Sequence, residues 1–197
     1  MTQSVDVRLF FNFRSPYCYL ASKRLFRLFD DYHANLVWRP LGGWSGRSSP
    51  ERAKVKVPLT RQDIRRFARK LGIPVNPPPI TTDPTLAGRG SLLAEERGRL
   101  RAWVVEVMRK EWAFGQDIGQ RDVLLEVARD IGLDPGELDA ALDDPARQQR
   151  LDANWEEAQR LGVIGVPTWV VGEEIFWGND RLEFVEDHLK ELALARL

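Results

Sequence analysis

The chain has 197 residues, enough to bury a sizeable core as one domain or as a domain with a large insertion. Its 29 Lys and Arg residues balance 29 Asp and Glu residues, and a formal net charge of zero implies no nucleic-acid or other polyanionic partner. A single cysteine excludes an intrachain disulfide, and no uncharged stretch approaches the ~20 apolar residues of a membrane span.

Residues 1–6 lack the basic-then-apolar layout of a signal peptide, which with the lone cysteine points to a cytoplasmic setting. The pattern predicts a strand over residues 6–13, a helix over 16–30 and a second strand over 35–40, where Leu36 alternates with Trp38 and Pro40 stops the run. At the first strand-to-helix junction stands Ser15-Pro16-Tyr17-Cys18. A hydroxyl or thiol there meets unpaired backbone N–H groups and the positive end of a helix dipole, so the position favours a thiolate. A plainer account is open at this point: Ser15 as an N-cap, Pro16 at the first helical position and Cys18 as a small buried apolar residue.

Residues 41–58, rich in Gly, Ser and Lys, show no periodicity and are expected to form a loop. Thr60 is then expected to cap a helix, with Asp63 three positions on and Ile64, Phe67, Ala68 and Leu71 along one face. Pro74-Val75-Asn76-Pro77-Pro78-Pro79 reads as a rigid extended connector. Three apolar stripes follow at helical spacing: Leu100, Trp103, Val104, Val107 and Met108; Val123, Leu124, Val127 and Ala128; and Leu151, Trp155, Ala158 and Leu161. His33 and His188 are too few and too far apart in sequence to make a metal site with Cys18, so no metal is expected.

Near the far end, Gly162-Val163-Ile164-Gly165-Val166-Pro167 leads into Thr168-Trp169-Val170-Val171. Pro167 fits the first residue of a strand, Gly172-Glu173-Glu174 turns into a second short strand, and Asn179-Asp180 is expected to cap the last helix. The glycine-flanked Val166-Pro167 step is a candidate cis peptide, leaving the Val166 carbonyl and N–H free to pair with an extended ligand.

Two ordered motifs now stand together: Phe11-Asn12-Phe13-Arg14-Ser15-Pro16-Tyr17-Cys18-Tyr19-Leu20, and Gly165-Val166-Pro167-Thr168 followed by Phe176-Trp177-Gly178-Asn179-Asp180-Arg181. Between them Lys56 precedes Asp63 at a matching spacing and Leu71-Gly72-Ile73-Pro74 ends a helix. From about residue 7 to 190 the chain resembles the DsbA-like part of the thioredoxin superfamily, in the group of 2-hydroxychromene-2-carboxylate isomerases and kappa-class glutathione transferases. The resemblance implies an α/β class, a thioredoxin-like fold with a large α-helical insertion: residues 1–58 and 162–197 as the thioredoxin-like parts, 59–161 as the insertion.

It also implies glutathione as cofactor and a small electrophilic substrate as partner, a place in aromatic catabolism, and allows a homodimer. By the same resemblance Ser15 is catalytic, donating a hydrogen bond to the glutathione sulfur. Val166, before Pro167, pairs with the cysteinyl part of the ligand; Asn179 and Asp180 hold its γ-glutamyl end, and Lys56 meets the glycyl carboxylate. The implied reaction is reversible thiolate addition to a conjugated carbonyl compound. The alternatives are a kappa-like transferase and a DsbA-like thiol-disulfide oxidoreductase that uses Cys18. Three positions depart from the group's pattern or stand apart from it. Gly46-Arg47-Ser48-Ser49 replaces a usual Gly-Asn, Arg14 replaces a usual apolar residue and suits an acidic substrate, and Trp44 reads as a pocket wall or a loop anchor.

Overall fold

The computed structural model describes residues 4–43 and 49–196, so Trp44, Gly46, Arg47 and Ser48 lie outside the described residues. β1 (Val5–Phe11) and β2 (Ala34–Pro40) run parallel, placing Leu9 beside Trp38. Parallel neighbours need a crossover, and α1 (Pro16–Ser22) with α2 (Arg27–Asp31) supplies it. β3 (Thr168–Val171) lies antiparallel on the other side of β1, and β4 (Glu174–Trp177) closes a hairpin with β3, giving the order β2-β1-β3-β4.

The side chains of the central strand β1 divide by parity: the face of Val7, Leu9 and Phe11 is buried, whereas on the other face Phe10 is buried, Arg8 half-buried and Asp6 exposed. Val7, Leu9 and Phe11 join the large core with α1 and the helical block, whereas Phe10 joins Leu41, Ala158 and Val170 on the opposite face. That second face is covered by α8 (Pro145–Arg160) through Ala158 and Trp155.

Between β2 and β3 the chain builds α3 (Pro50–Leu71), α4 (Thr85–Glu96), α5 (Leu100–Met108), α6 (Arg121–Asp130), α7 (Pro135–Asp143) and α8. α4 was not marked by any apolar stripe because small residues form its contact face. A Cβ on Gly90 would sit 2.4 Å from the Trp103 ring, so the glycine lets α5 approach. The Trp103 indole then donates to the Ala87 carbonyl at 3.1 Å, and the Trp38 indole to the Ser91 hydroxyl at 2.9 Å, joining the block to β2. After α5 the chain makes a π turn, Arg109–Ala113. The last helix, α9 (Leu182–Glu191), packs on the large core through Leu182, Val185 and Leu189.

Three sequence expectations need correction. The helix expected over 16–30 is interrupted after Ser22, whose hydroxyl donates to the Tyr19 carbonyl at 2.7 Å and competes with the helical ladder. The loop expected over 41–58 is helical from Pro50 onward. Ser49 caps it by accepting from the Arg52 N–H at 3.4 Å, and Pro58 is tolerated inside because this half of α3 faces solvent. Finally, α9 begins at Leu182 after a short 3₁₀ turn, Asn179–Arg181, and no side chain caps it, so Asn179 and Asp180 are not caps. Among the described residues, no helix is long and apolar enough to cross a membrane.

Candidate active site

The end of β1 sets the position of Ser15. The Asn12 side chain accepts from the Arg14 N–H at 2.9 Å and the Asn12 carbonyl from the Ser15 N–H at 3.0 Å, which turns the chain sharply out of the sheet. Ser15 is extended, at φ −84° and ψ 121°, and its hydroxyl accepts from the Cys18 N–H at 3.3 Å as the N-cap of α1. The same hydroxyl donates to the Val166 carbonyl at 3.3 Å, joining segments 151 residues apart.

Val166-Pro167 is a cis peptide bond, as the sequence suggested. Its loop is held on both sides. The Thr168 hydroxyl donates to the Gly165 carbonyl at 2.7 Å, and the Gly178 N–H to the Pro167 carbonyl at 2.9 Å. Among the described residues the Val166 N–H makes no hydrogen bond. Trp177 packs directly on Gly165, where a Cβ would come 2.6 Å from the indole nitrogen. Gly178, at φ 122°, then swings the chain into the Asn179–Arg181 turn, a conformation that suits only glycine.

That turn lies against α1, with Asn179 buried and Asp180 exposed. Asp180 pairs with the neighbouring Arg181 at 2.9 Å. Facing it from α1, the Tyr17 hydroxyl donates to Asp63 of α3 at 3.0 Å. Burial, then the Asp63 bond and charge, push the Tyr17 phenol up to about 12, and the Asp180 charge adds to the effect. Lys56 is exposed and sits within α3, not on a loop. With Thr60 and Asp63 it falls on one face of that helix, about 10 Å along the axis from Asp63.

Cys18 points the other way. It is sealed in the large core, and burial pushes its thiol up to about 12. A thiol so placed stays protonated and out of reach, the reverse of an attacking cysteine. Beyond it the π turn closes the inner wall: the Trp112 indole donates to the Phe13 carbonyl at 3.3 Å, and the Asn76 N–H to the Trp112 carbonyl at 2.7 Å. Glu111 is fully buried beside it.

The structure therefore gathers Ser15, Val166 and Pro167 directly, brings Asn179 and Asp180 to the adjoining turn, and leaves Lys56 two helical turns from Asp63. Sequence reasoning missed the Tyr17–Asp63 pair. Both residues were visible in the motifs, but Asp63 was read as part of a helix start and by its spacing from Lys56, not as a partner of Tyr17.

A serine where β1 meets α1, facing the carbonyl before a cis-proline across a mixed four-stranded sheet, defines a thioredoxin-like protein with a hydroxyl in place of the leading thiol. The chain belongs to the DSBA-like thioredoxin domain family, whose model matches residues 6–190, and within it to the group of enzymes that includes 2-hydroxychromene-2-carboxylate isomerases and kappa-class glutathione transferases. It is 30% identical to the 2-hydroxychromene-2-carboxylate isomerase of Sphingobium xenophagum, covering 96% of this chain and 99% of that one. Glutathione S-transferase kappa 1 of Homo sapiens is 25% identical over 94% of this chain and 91% of its own. A solved 2-hydroxychromene-2-carboxylate isomerase superposes with a TM-score of 0.79 at 27% identity, covering 95% and 96% of the two chains.

Proposed function

We propose that this protein is a glutathione-dependent isomerase of the 2-hydroxychromene-2-carboxylate type, acting on a conjugated, aromatic-derived carbonyl compound in the cytoplasm. The observation that carries the reading is the Ser15 hydroxyl, held between the Cys18 N–H and the Val166 carbonyl.

The donor set fits a small peptide thiol. Val166 offers a backbone N–H without a partner among the described residues and a carbonyl occupied only by the Ser15 hydroxyl, which suits pairing with an extended peptide unit. Asn179 and Asp180 stand on the turn that follows the β3–β4 hairpin, and Asp180 meets an ammonium at the γ-glutamyl end. Lys56 lies far enough along α3 to meet a carboxylate at the glycyl end. Bound glutathione supplies the thiolate that adds reversibly to the substrate. Ser15 then turns its O–H from the Val166 carbonyl to the sulfur and holds it as an anion. The helix behind it, α1, has only seven residues, so the hydroxyl matters more than the helix dipole.

A kappa-like transferase is the second reading, favoured by the 25% identity to that enzyme. The two activities differ only in whether the new carbon–sulfur bond is broken again, and one pocket serves both. Disulfide exchange through Cys18 is disfavoured by the burial and raised pKa of that thiol. Calorimetry with reduced glutathione tests the proposal: binding at one site per chain is expected. A ligand at ~100 times its dissociation constant raises stability by about 2.7 kcal/mol, so absence of both heat and a melting shift would overturn the proposal.

A further inference from the structure

The zero net charge of the chain conceals an uneven distribution. α3 alone carries eight Lys and Arg residues against Glu51 and Asp63, so the rest of the protein is acidic by six charges. Elsewhere the arginines find carboxylates: Arg39, Arg97, Arg101, Arg121 and Arg147 each meet one. On α3 the opposite holds. Apart from Lys56, none of its basic side chains forms an ion pair among the described residues, and all of them are exposed. Like charges so close along one helix repel, a cost that an anionic partner offsets.

The helix is fastened by its second half. Ile64 and Ala68 are buried, Phe67 is half-buried, and Asp63 accepts from the Tyr17 hydroxyl. The first half turns aliphatic groups outward instead. Val55 is 70% exposed and Leu59 61%, one turn apart on the same side, with the exposed Pro58 beside them. In steps of three and four residues that side continues through Gln62 to Arg66, and Arg65, Arg69 and Lys70 lie next to it. An aliphatic pair therefore shares the solvent face with the cations. This face is turned about 100° around the helix from the one that carries Lys56, Thr60 and Asp63.

We propose that α3 is a peripheral membrane-binding helix that docks the protein on an anionic lipid surface. Charge complementarity sets the sign of the partner, and the aliphatic pair sets its kind. Anionic headgroups meet the cations, while Val55 and Leu59 enter the boundary between headgroups and acyl chains. The long basic stems lie along the same boundary and keep their charged ends among the headgroups. A nucleic-acid backbone meets the cations equally well but offers nothing to the aliphatic pair. At 22 residues the helix is about 33 Å long, a straight edge suited to a flat surface. Net charge alone, which argued against a polyanionic partner, averages this helix away. The surface is separate from Ser15, so the proposal does not depend on the glutathione reading.

The test is co-sedimentation of the whole protein with vesicles of phosphatidylcholine alone and of equal parts phosphatidylcholine and phosphatidylglycerol. Wild type is expected to pellet with the mixed vesicles and stay in solution with the neutral ones. Raising salt from ~0.1 M to ~1 M should release it, since the screening length falls from about 10 Å to about 3 Å. The double variant Arg65→Gln, Arg66→Gln should bind the mixed vesicles roughly tenfold or more weakly, the scale for two cations lost near a charged bilayer. The double variant Val55→Gln, Leu59→Gln keeps every charge and should bind them several-fold more weakly, with no change toward soluble polyglutamate. All four positions are exposed, and melting curves check that both variants fold. Absence of binding to the mixed vesicles, or equal binding to both kinds, would overturn the proposal. So would a short DNA duplex bound as tightly as the vesicles and indifferent to the aliphatic variant, which would make the face a nucleic-acid surface. A dimer in gel filtration that the aliphatic variant converts to monomer, with vesicles ignored, would assign the face to a second copy of the chain.

Discussion

Ser15 lies between two walls built on opposite physical terms. On the outer wall Lys56, Asp63 and Asp180 stand on α3 and the 3₁₀ turn, half-exposed or exposed, with charges of both signs at separate points. On the inner wall, between the β1–α1 turn and the π turn, Glu111 and Trp112 are buried and the half-buried Arg14 lies over the Trp112 ring. Exposed charges give modest, screened interactions that add up over a long flexible ligand. Buried ones are few, strongly felt and selective. In the proposed reading the outer wall holds the zwitterionic peptide thiol, while the inner wall supplies the packing behind Ser15.

The strongest test of that division is at its boundary. Ser15→Ala removes the one hydroxyl that both walls share, and turnover should fall roughly ten- to a thousandfold, the range seen when a donor to an anion is lost. Cys18→Ala, three residues on, should leave glutathione-dependent turnover nearly unchanged. Steady-state rates of the two variants read this directly; loss of activity in Cys18→Ala alone would move the chemistry to the thiol and dissolve the comparison.

A second test asks whether the inner wall is the structural one. Trp112 is 5% exposed, holds the Phe13 and Asn76 backbones, and lies beneath Arg14. Trp112→Ala should cost about 3–5 kcal/mol in denaturant unfolding, as for large aromatics lost from a core. Lys56→Met on the exposed wall should cost almost nothing. Equal losses would mean that the walls do not differ in packing.

Alkaline titration separates the walls more gently. Tyr17 on the outer wall and Cys18 beneath the inner one are both raised to about 12, from ordinary values of 10.0 and 9.0, with burial the leading cause in each. A pKa raised on folding stabilises the protein below the ordinary value and ceases to do so as pH climbs through the folded one. Wild type should therefore lose stability progressively between about pH 9 and pH 12. Cys18→Ala should flatten the early part of that decline and Tyr17→Phe the later part. Melting curves that superpose for all three proteins would show that neither group is sealed as described.

Much of this arrangement was legible in the residues because it follows from local chemistry. Ser15-Pro16 announces a helix start, Val166-Pro167 between a glycine and a β-branched run announces the turn facing it, and the apolar stripe from Leu100 to Met108 announces a buried helix. What escaped depends on partners distant in the chain. Val55, Val57 and Leu59 are exposed, so the first half of α3 has no inward apolar face to give periodicity, and Pro58 disguised it further. Gly90 and Ser91 look like loop residues until Trp103 and Trp38 are placed against them. The π turn has no local signature, since its register is set by Trp112 reaching Phe13. Nor does any spacing reveal that Tyr17 and Asp63 meet, or that Arg14 lies over the Trp112 ring.

The smallest expected effects belong to the outer wall, and they decide whether its charges read a ligand at all. Asp180 and Lys56 are assigned to opposite ends of an extended tripeptide, remote from the sulfur. Contacts of that kind act alike in the ground and transition states, so losing one should raise KM for glutathione several-fold with little change in kcat. Asp180→Asn keeps the shape and removes the charge. Because Asp180 caps no helix, the substitution should not touch stability, and any change in KM reports the ligand rather than the fold. Lys56→Met keeps the length of the side chain on an exposed helical face and likewise isolates the charge. Screening supplies the control: the affinity of wild type should fall as salt is raised, and each variant should show a shallower dependence than wild type. If both variants keep the wild-type KM and salt response, the two residues are ordinary surface charges, and the outer wall must recognise its ligand through the Val166 backbone alone.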